Sequence, residues 1–425
     1  MTTYRRRTLD SVLDTYQPQL PAVELYGARG VGKTATAAQR AASSLRLDRS
    51  ADAERLRADP SLLTALPAPV LVDEWSRVPE SWDLVRRAVD DGAPAGRYLL
   101  TGSADVPKGV IVHSGAGRIA RFRMRPLSLA ERAIEQPTVS LSRLLAGEGS
   151  ASGQTDVGLA DYVQEIVGSG FPGIRSRPAV ARTVLLDSYL DEVVTKEFPE
   201  QGYAVRRPQV LRDWLGAYAA ATATTASYNR IMEASTPGVA PKPSKGATSA
   251  YRDALASLWL LDPVPAWLPT HNRLERAAQT PKHFLADPAL ACRLLHVGER
   301  QLLAGDQGAR GTELREGTLL GALFEHLSAL SVLVYAQAAR ADVHHLRTHS
   351  GDHEIDLIVT SDGGGVFGIE VKLTQAPDDR DVRHLVWLRD RIGSDCLGGM
   401  VLTTGTHAYA RRDGILVVPL ALLGP

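Results

Sequence analysis

The sequence predicts an α/β protein built in three parts, and three observations carry that reading. A glycine-rich turn lies between a short apolar run and a helix-forming stretch, Ala22 to Ser44. An apolar strand, Pro67 to Trp75, ends in two adjacent acids. Far downstream, His353 to Leu373 holds two further apolar strands with an acid on each and a lysine two residues beyond the second acid. At 425 residues the chain exceeds one ordinary core. The expected division is residues 1–195, 196–275 and 276–425.

Composition narrows the function classes. Hydrophobic residues make up 44% and charged residues 23%, the balance of a folded chain. A formal net charge of zero gives no overall basic field for nucleic acid, so any such surface would be local. Two cysteines far apart, Cys292 and Cys396, exclude a disulfide framework or a cysteine-rich zinc site. The basic start, Met1 to Arg7, has no apolar run behind it, and no long uncharged apolar stretch stands elsewhere. The expectation is a cytoplasmic protein with no membrane anchor. Lysine is scarce, 7 of the 48 basic residues, at positions 33, 108, 196, 242, 245, 282 and 372. Two of these fall inside the motifs described next.

The first motif is Gly27-Ala-Arg-Gly-Val-Gly-Lys-Thr, which completes G-x-x-x-x-G-K-[ST]. Glycines at 27, 30 and 32 let backbone N–H groups, with that of Ala35, curl round a phosphate. The following helix points its positive end there. Lys33 can bridge β- and γ-phosphates and Thr34 can ligate Mg²⁺, so ATP and Mg²⁺ are the expected cofactors. An ordinary glycine-rich turn is the competing reading, and the strand before and helix after decide against it. In P-loop ATPases a neighbouring strand delivers an Asp to the Mg²⁺ shell and a Glu to the attacking water. Asp73 and Glu74 are assigned those roles, against the alternative of a solvated acidic turn.

Ser81 to Val89 has the spacing of a helix, and Arg97 to Ser103 reads as another buried strand. In Gly117 to Ser128, Arg121, Arg123 and Arg125 alternate with apolar residues, as on a strand with an exposed basic face. Together GARGVGKT, LVDEWSRVP, LLTGSA, GRIARFRMRPLSLAE and GSGFPG (168–173) resemble bacterial AAA-like P-loop ATPases that carry a C-terminal domain of unknown function. The resemblance spans nearly the whole chain, with Ala28 standing where proline is expected. It implies a polar γ-phosphate sensor at the end of the strand beside the acidic one, Ser103 or Thr101. Arg118, after a glycine turn, is the candidate arginine for the nucleotide.

Residues 138–158, rich in Ser and Gly, read as a surface loop, and helical patterning resumes at Leu159. Helices around Leu211–Ala219, Tyr228–Met232 and Ala247–Leu260, then Asp262-Pro-Val-Pro, look like a winged helix-turn-helix. Only Arg252 is basic on its third helix, with Lys242 and Lys245 in the loop before it. Groove binding needs several phosphate contacts, so packing or protein contact is the favoured role.

In the last third, Ile355, Leu357 and Val359 are expected on one face of a strand, with Glu354 and Asp356 on the other. The next strand buries Phe367, Ile369, Val371 and Leu373 and turns Glu370 and Lys372 the opposite way. This D…E-x-K arrangement is similar to the core of PD-(D/E)xK nucleases, the restriction-endonuclease-like fold. The resemblance implies metal ligands at Asp356, Glu370 and Glu325, the last on the apolar helix Gly317 to Ala338. Lys372 would stabilise charge on the attacked phosphate. The competing reading is that Lys372 pairs with Glu370 or Asp356 in a silent fold. His344, His345, His349 and His353 have no ligand spacing and are expected at the surface.

The expected function is ATP binding and hydrolysis coupled to a nuclease-like domain that acts on or docks to DNA or RNA. The alternative is an ATP-dependent regulatory switch whose C-terminal domain is a catalytically silent platform for a protein partner. Oligomeric state is left open by the sequence.

Overall fold

Five short strands organise the N-terminal third: β1 (Ala22–Tyr26), β2 (Ser43–Arg46), β3 (Val70–Asp73), β4 (Tyr98–Gly102) and β5 (Ile119–Arg123). In this computed structural model, which describes residues 4–106, 108–110, 112–203, 207–235, 245–268, 279–304, 316–348 and 351–425, they form one parallel sheet. Its order is β2-β3-β4-β1-β5. β3 and β4 are buried at every residue, as parallel strands covered on both faces require. Ala22 pairs with both Tyr98 and Ile119, and Tyr26 with both Gly102 and Arg123. The carboxyl ends of β1, β3 and β4 therefore share one edge, where ligands of open α/β sheets bind.

The middle of the chain holds helices Pro208–Ala220, Tyr228–Ala234 and Lys245–Ser257. Trp214 and Tyr218 of the first are fully buried. The third ends earlier than the pattern suggests, and Trp259 just beyond it takes a left-handed φ of 58°. Antiparallel bridges Leu261↔Leu285 and Val264↔Lys282 follow. The loop position Lys242 lies outside the described residues.

Residues 138–158 are more than a surface loop. They contribute β6 (Val139–Ser140) and β7 (Gly153–Gln154), although the glycine and glutamine of β7 stay exposed. The C-terminal part follows as helix Glu316–Ala338, β8 (Asp342–Arg347), β9 (Glu354–Thr360), β10 (Val366–Val371) and helix Asp379–Ile392. β11 (Cys396–Thr403), β12 (His407–Ala410), β13 (Leu416–Pro419) and β14 (Leu423–Gly424) complete it. A seven-stranded sheet runs β7-β12-β13-β11-β10-β9-β8, while β14 pairs with β6. Backbone pairing thus ties residues 138–155 to the C-terminal strands, a connection that no local pattern encodes.

Helices cover both faces of that sheet. Leu323 and Leu327 share a core with Leu357 and Ile369, and Leu385 and Leu388 share another with Ile355 and Ile358. The expectation that Ile355 shares a face with Leu357 and Val359 therefore fails. The β8–β9 register shifts between His344 and Leu346, opposite this stretch, and an extra residue in a ladder reverses the alternation. With both faces covered, Asp356 and Glu370 are buried instead of lying on a solvated face. Leu319–Ala338 is long and apolar enough to cross a membrane by length and composition, and 67% of its most apolar window is buried inside the protein.

Candidate functional site

The loop after β1 is held in a conformation that favours glycine. Gly27, Gly30 and Gly32 take φ of 147°, 82° and 104°. A side-chain carbon at Gly27 would stand 2.1 Å from the Met124 carbonyl oxygen, so the close approach there also demands glycine. The helix Lys33–Ala38 begins at once, with Lys33 only 5% exposed. Its ammonium donates to the carbonyls of Gly27 (2.8 Å) and Ala28 (2.9 Å), curled back over the loop. Burial lowers it to about 8, against the opposing pull of Glu74 and Asp73.

At the adjacent strand ends a polar network meets this lysine. Thr34 Oγ1 donates to Asp73 Oδ1 at 2.7 Å, and Thr101 Oγ1 donates to the same oxygen at 2.5 Å. Thr101 in turn accepts the Glu74 N–H at 3.2 Å, so one buried hydroxyl fixes both acids. Glu74 has a left-handed φ of 55°, uncommon for a residue with a side chain and concentrated at functional sites. Its carboxylate accepts from Ser103 Oγ at 2.8 Å. Beside Gly32, Ala35 and Thr36 opens a cleft of about 590 Å³, walled by Tyr4, Met124 and Arg175.

The structure brings together Gly27, Gly30, Gly32, Lys33, Thr34, Ala35, Asp73, Glu74, Thr101 and Ser103. Arg118 is not among them. It precedes β5, whose first residue pairs with Ala22, so the parallel register puts it at the sheet edge opposite the loop. There it pairs with Asp90 at 2.8 Å, 45% exposed. Arg121 is exposed, as a basic strand face requires, but the exposure expected for Arg123 and Arg125 is corrected. Arg121 pairs with Glu24 at 2.5 Å, and Arg123 and Arg125 are drawn onto buried Asp262 at 2.8 and 2.7 Å. Sequence alternation could not show those partners, since Asp262 is remote.

Several residues near the loop escaped sequence reasoning. Arg29, inside the motif, pairs with Glu197 at 3.0 Å, and Arg46 Nε lies 3.6 Å from Asp73 Oδ2. Arg7 donates to the Val31 carbonyl at 2.8 Å while paired with buried Glu131 at 3.0 Å. The cluster Arg5-Arg6-Arg7 was the one visible signal for it.

The C-terminal acids do gather, but round a lysine. Lys282, 1% exposed, places its ammonium 2.7 Å from Glu325 Oε1 and 3.0 Å from Asp356 Oδ1. Lys372 stands 2.8 Å from Glu370 Oε2 and 3.9 Å from Asp356 Oδ2. Asp356 Oδ2 also accepts the Val371 N–H at 2.9 Å. Burial would raise Asp356, yet Lys282, Lys372 and that N–H outweigh it and hold it at about 2. Burial and the Asp356 charge push Glu325 up to about 8 and Glu370 well above the carboxylate range. Among the described residues, no group of three or more His, Cys, Asp and Glu is placed to hold a metal. A buried ammonium thus stands between two members of the expected Glu325, Asp356 and Glu370 ligand set, Glu325 and Asp356. Lys282 was visible only as one of seven scarce lysines.

One histidine expectation changes as well. His345 is buried, its Nε2 3.1 Å from the Thr280 carbonyl oxygen, and burial lowers it to about 4. His353 stacks on Trp387 at 3.9 Å. His349 lies outside the described residues.

A glycine loop between strand and helix, a buried lysine and an Asp-Glu pair on the neighbouring parallel strand define a P-loop nucleotide-binding domain. Residues 19–133 match a family described as an AAA domain, and this part of the chain is a P-loop, AAA-like ATPase domain. Residues 159–301 and 320–423 match two domains of unknown function, DUF8612 and DUF4143. The chain is 24% identical over 409 residues to uncharacterized proteins of Mycobacterium bovis and Mycobacterium tuberculosis, covering 94% of this chain and 80% of theirs. It is similar at a TM-score of 0.36 and 16% identity to a Walker-type ATPase of Pyrococcus abyssi, over 68% of this chain and 93% of that one.

Proposed function

We propose that this chain binds and hydrolyses ATP and uses that cycle as a switch, with a C-terminal domain that is a catalytically silent platform for a protein partner. The observation that carries the first half is the Thr34–Asp73–Thr101 network beside Lys33. A hydroxyl and a carboxylate 2.7 Å apart are hard oxygen donors that suit Mg²⁺. Bound Mg²⁺ neutralises charge between the β- and γ-phosphates. Thr34 and Asp73 would hold it, and Thr101 keeps Asp73 turned toward Thr34. Lys33 leaves the Gly27 and Ala28 carbonyls for phosphate oxygens, and loop N–H groups bind the remaining charge. Glu74, oriented by Ser103, positions the attacking water. The cleft of about 590 Å³ next to Thr36 is wide enough for the nucleoside end.

Silence of the C-terminal domain rests on the lysine-paired acids. The order helix, β8, β9, β10, helix, β11 supports the restriction-endonuclease-like resemblance, but fold does not carry activity by itself. The residues present do not fit a resident divalent metal. For the middle module, three helices and an antiparallel pair of bridges support the winged-helix resemblance. Arg252 lies 5.3 Å over the Tyr228 ring and pairs with Asp253 at 2.8 Å, which favours packing or protein contact over a DNA groove.

Two measurements test the proposal. Lys33→Ala is expected to abolish ATP turnover, and unchanged turnover sinks the nucleotide half. The parent chain is expected to leave single- and double-stranded DNA and RNA intact under Mg²⁺ or Mn²⁺, with or without ATP. Cleavage that Asp356→Ala removes would restore the nuclease reading.

A further inference from the structure

The acids of the C-terminal sheet come from three elements: Glu325 from the helix Glu316–Ala338, Glu354 and Asp356 from β9, and Glu370 from β10. The Lys282 ammonium enters from outside the sheet, 2.7 Å from Glu325, 3.0 Å from Asp356 and 3.9 Å from Glu354. Its backbone is pinned: Lys282 and Val264 exchange both backbone hydrogen bonds at 2.9 Å, and the His283 N–H donates to the Thr224 carbonyl at 2.9 Å. Lys282 is fixed by the fold in this position and is not a surface lysine that has fallen inward. On the far side, Glu370 Oε2 takes Lys372 while Glu370 Oε1 is buried without a hydrogen-bond partner. That buried oxygen is a ligand-type atom that neither lysine occupies.

We propose that Lys282 is the resident cation of this cluster, that it keeps divalent metal out, and that neutralising position 282 turns Glu325, Asp356 and Glu370 into a Mg²⁺ or Mn²⁺ site. A buried ammonium and a divalent ion cannot share the same carboxylate oxygens, because each would lie within a few ångströms of the other in a medium that screens poorly. The inference deepens the silent-platform reading and rests on it.

The test uses the full chain without nucleotide, in four forms: the parent, Asp356→Asn, Lys282→Met, and Lys282→Met with Asp356→Asn. Bound Mn²⁺ is counted by electron paramagnetic resonance of the free ion, thermal unfolding is followed with Mn²⁺ or EDTA, and ATP turnover is measured on separate aliquots of each preparation after ATP is added. Asp356→Asn is expected to leave Mn²⁺ uptake of the otherwise unchanged chain as it is. Lys282→Met is expected to take up one additional Mn²⁺ per chain and to melt higher in Mn²⁺ than in EDTA, and both effects vanish in the double variant. The proposal is overturned if Asp356→Asn removes a bound Mn²⁺ from the parent, or if Lys282→Met with normal ATP turnover gains none. Should Lys282→Met not fold, the Asp356→Asn comparison decides alone. Nucleic-acid cleavage by the parent chain, in contrast, would refute the silent-platform reading itself, whatever the Mn²⁺ count.

Discussion

Replacing Asp262 by alanine is expected to cost the folded chain about 3–5 kcal/mol, the range for removing one partner of a buried ion pair. The carboxylate is 6% exposed and takes Arg123 at 2.8 Å and Arg125 at 2.7 Å, two guanidinium groups carried on and just after β5. Without it both cations stay half-buried, and Arg123 keeps its place 5.5 Å over the Trp259 ring. The backbone is unaffected, since the Asp262 N–H donates to the Phe284 carbonyl at 2.9 Å in either form. The same two ion pairs also set the acid dependence. Burial alone would raise Asp262, but the two arginines outweigh it and hold it at about 2, from an ordinary 3.8. That difference corresponds to about 2–3 kcal/mol at roughly 1.4 kcal/mol per pH unit. Because the folded value is the lower one, this stability is fully present above 3.8 and is lost as pH falls toward 2. Urea denaturation of the parent, Asp262→Ala and Asp262→Asn measures the cost at neutral pH, and repeating it in acid measures the linkage. A loss for Asp262→Ala under about 1 kcal/mol, the level of an exposed pair, would refute the reasoning. So would acid sensitivity in this range that Asp262→Asn leaves unchanged.

Other expectations follow from the nucleotide site. Gly27→Ala would force a carbon to within 2.1 Å of the Met124 carbonyl oxygen and is expected to abolish ATP binding in calorimetry; near-parental affinity would remove the steric argument. Glu74→Gln should retain ATP binding and lower turnover by about 10²–10⁴-fold, the usual range for a residue that handles the attacking water's proton. A turnover rate that stays at the parental level would take Glu74 out of the chemistry. Thr101→Ala is expected to reduce turnover more than Ser103→Ala, since Thr101 fixes both Asp73 and Glu74 whereas Ser103 touches Glu74 alone. The reverse order would point to Ser103 as the group that meets the phosphate. Arg118→Ala should leave ATP turnover unchanged, and a large loss would place that arginine at a nucleotide despite its remote position in this chain.

The sequence by itself determined what depends on a few consecutive residues. Gly27 to Thr34 specifies left-handed backbone and a helix start, so the loop was legible without any partner. Apolar runs ending in Asp73-Glu74 and in Thr101-Gly-Ser marked the strand ends that meet it, and parallel pairing then aligned those ends at one edge. The acids on β9 and β10 were legible for the same reason, though the face of Ile355 was not, because an extra β9 residue in the β8–β9 ladder reverses local alternation. Only the tertiary structure decided which charges meet. Arg118 is carried away from the loop by strand direction, Arg123 and Arg125 find Asp262 in another module, and residues 139–140 and 153–154 pair with strands more than 250 positions later. Lys282 shows the limit most clearly. Its neighbours Pro281 and His283 say nothing of Glu325 or Asp356, yet docking one short segment against the sheet turns an acidic cluster into a neutralised one. Backbone conformation is set by near neighbours, whereas the partner of a buried charge is set by whatever remote element packs beside it.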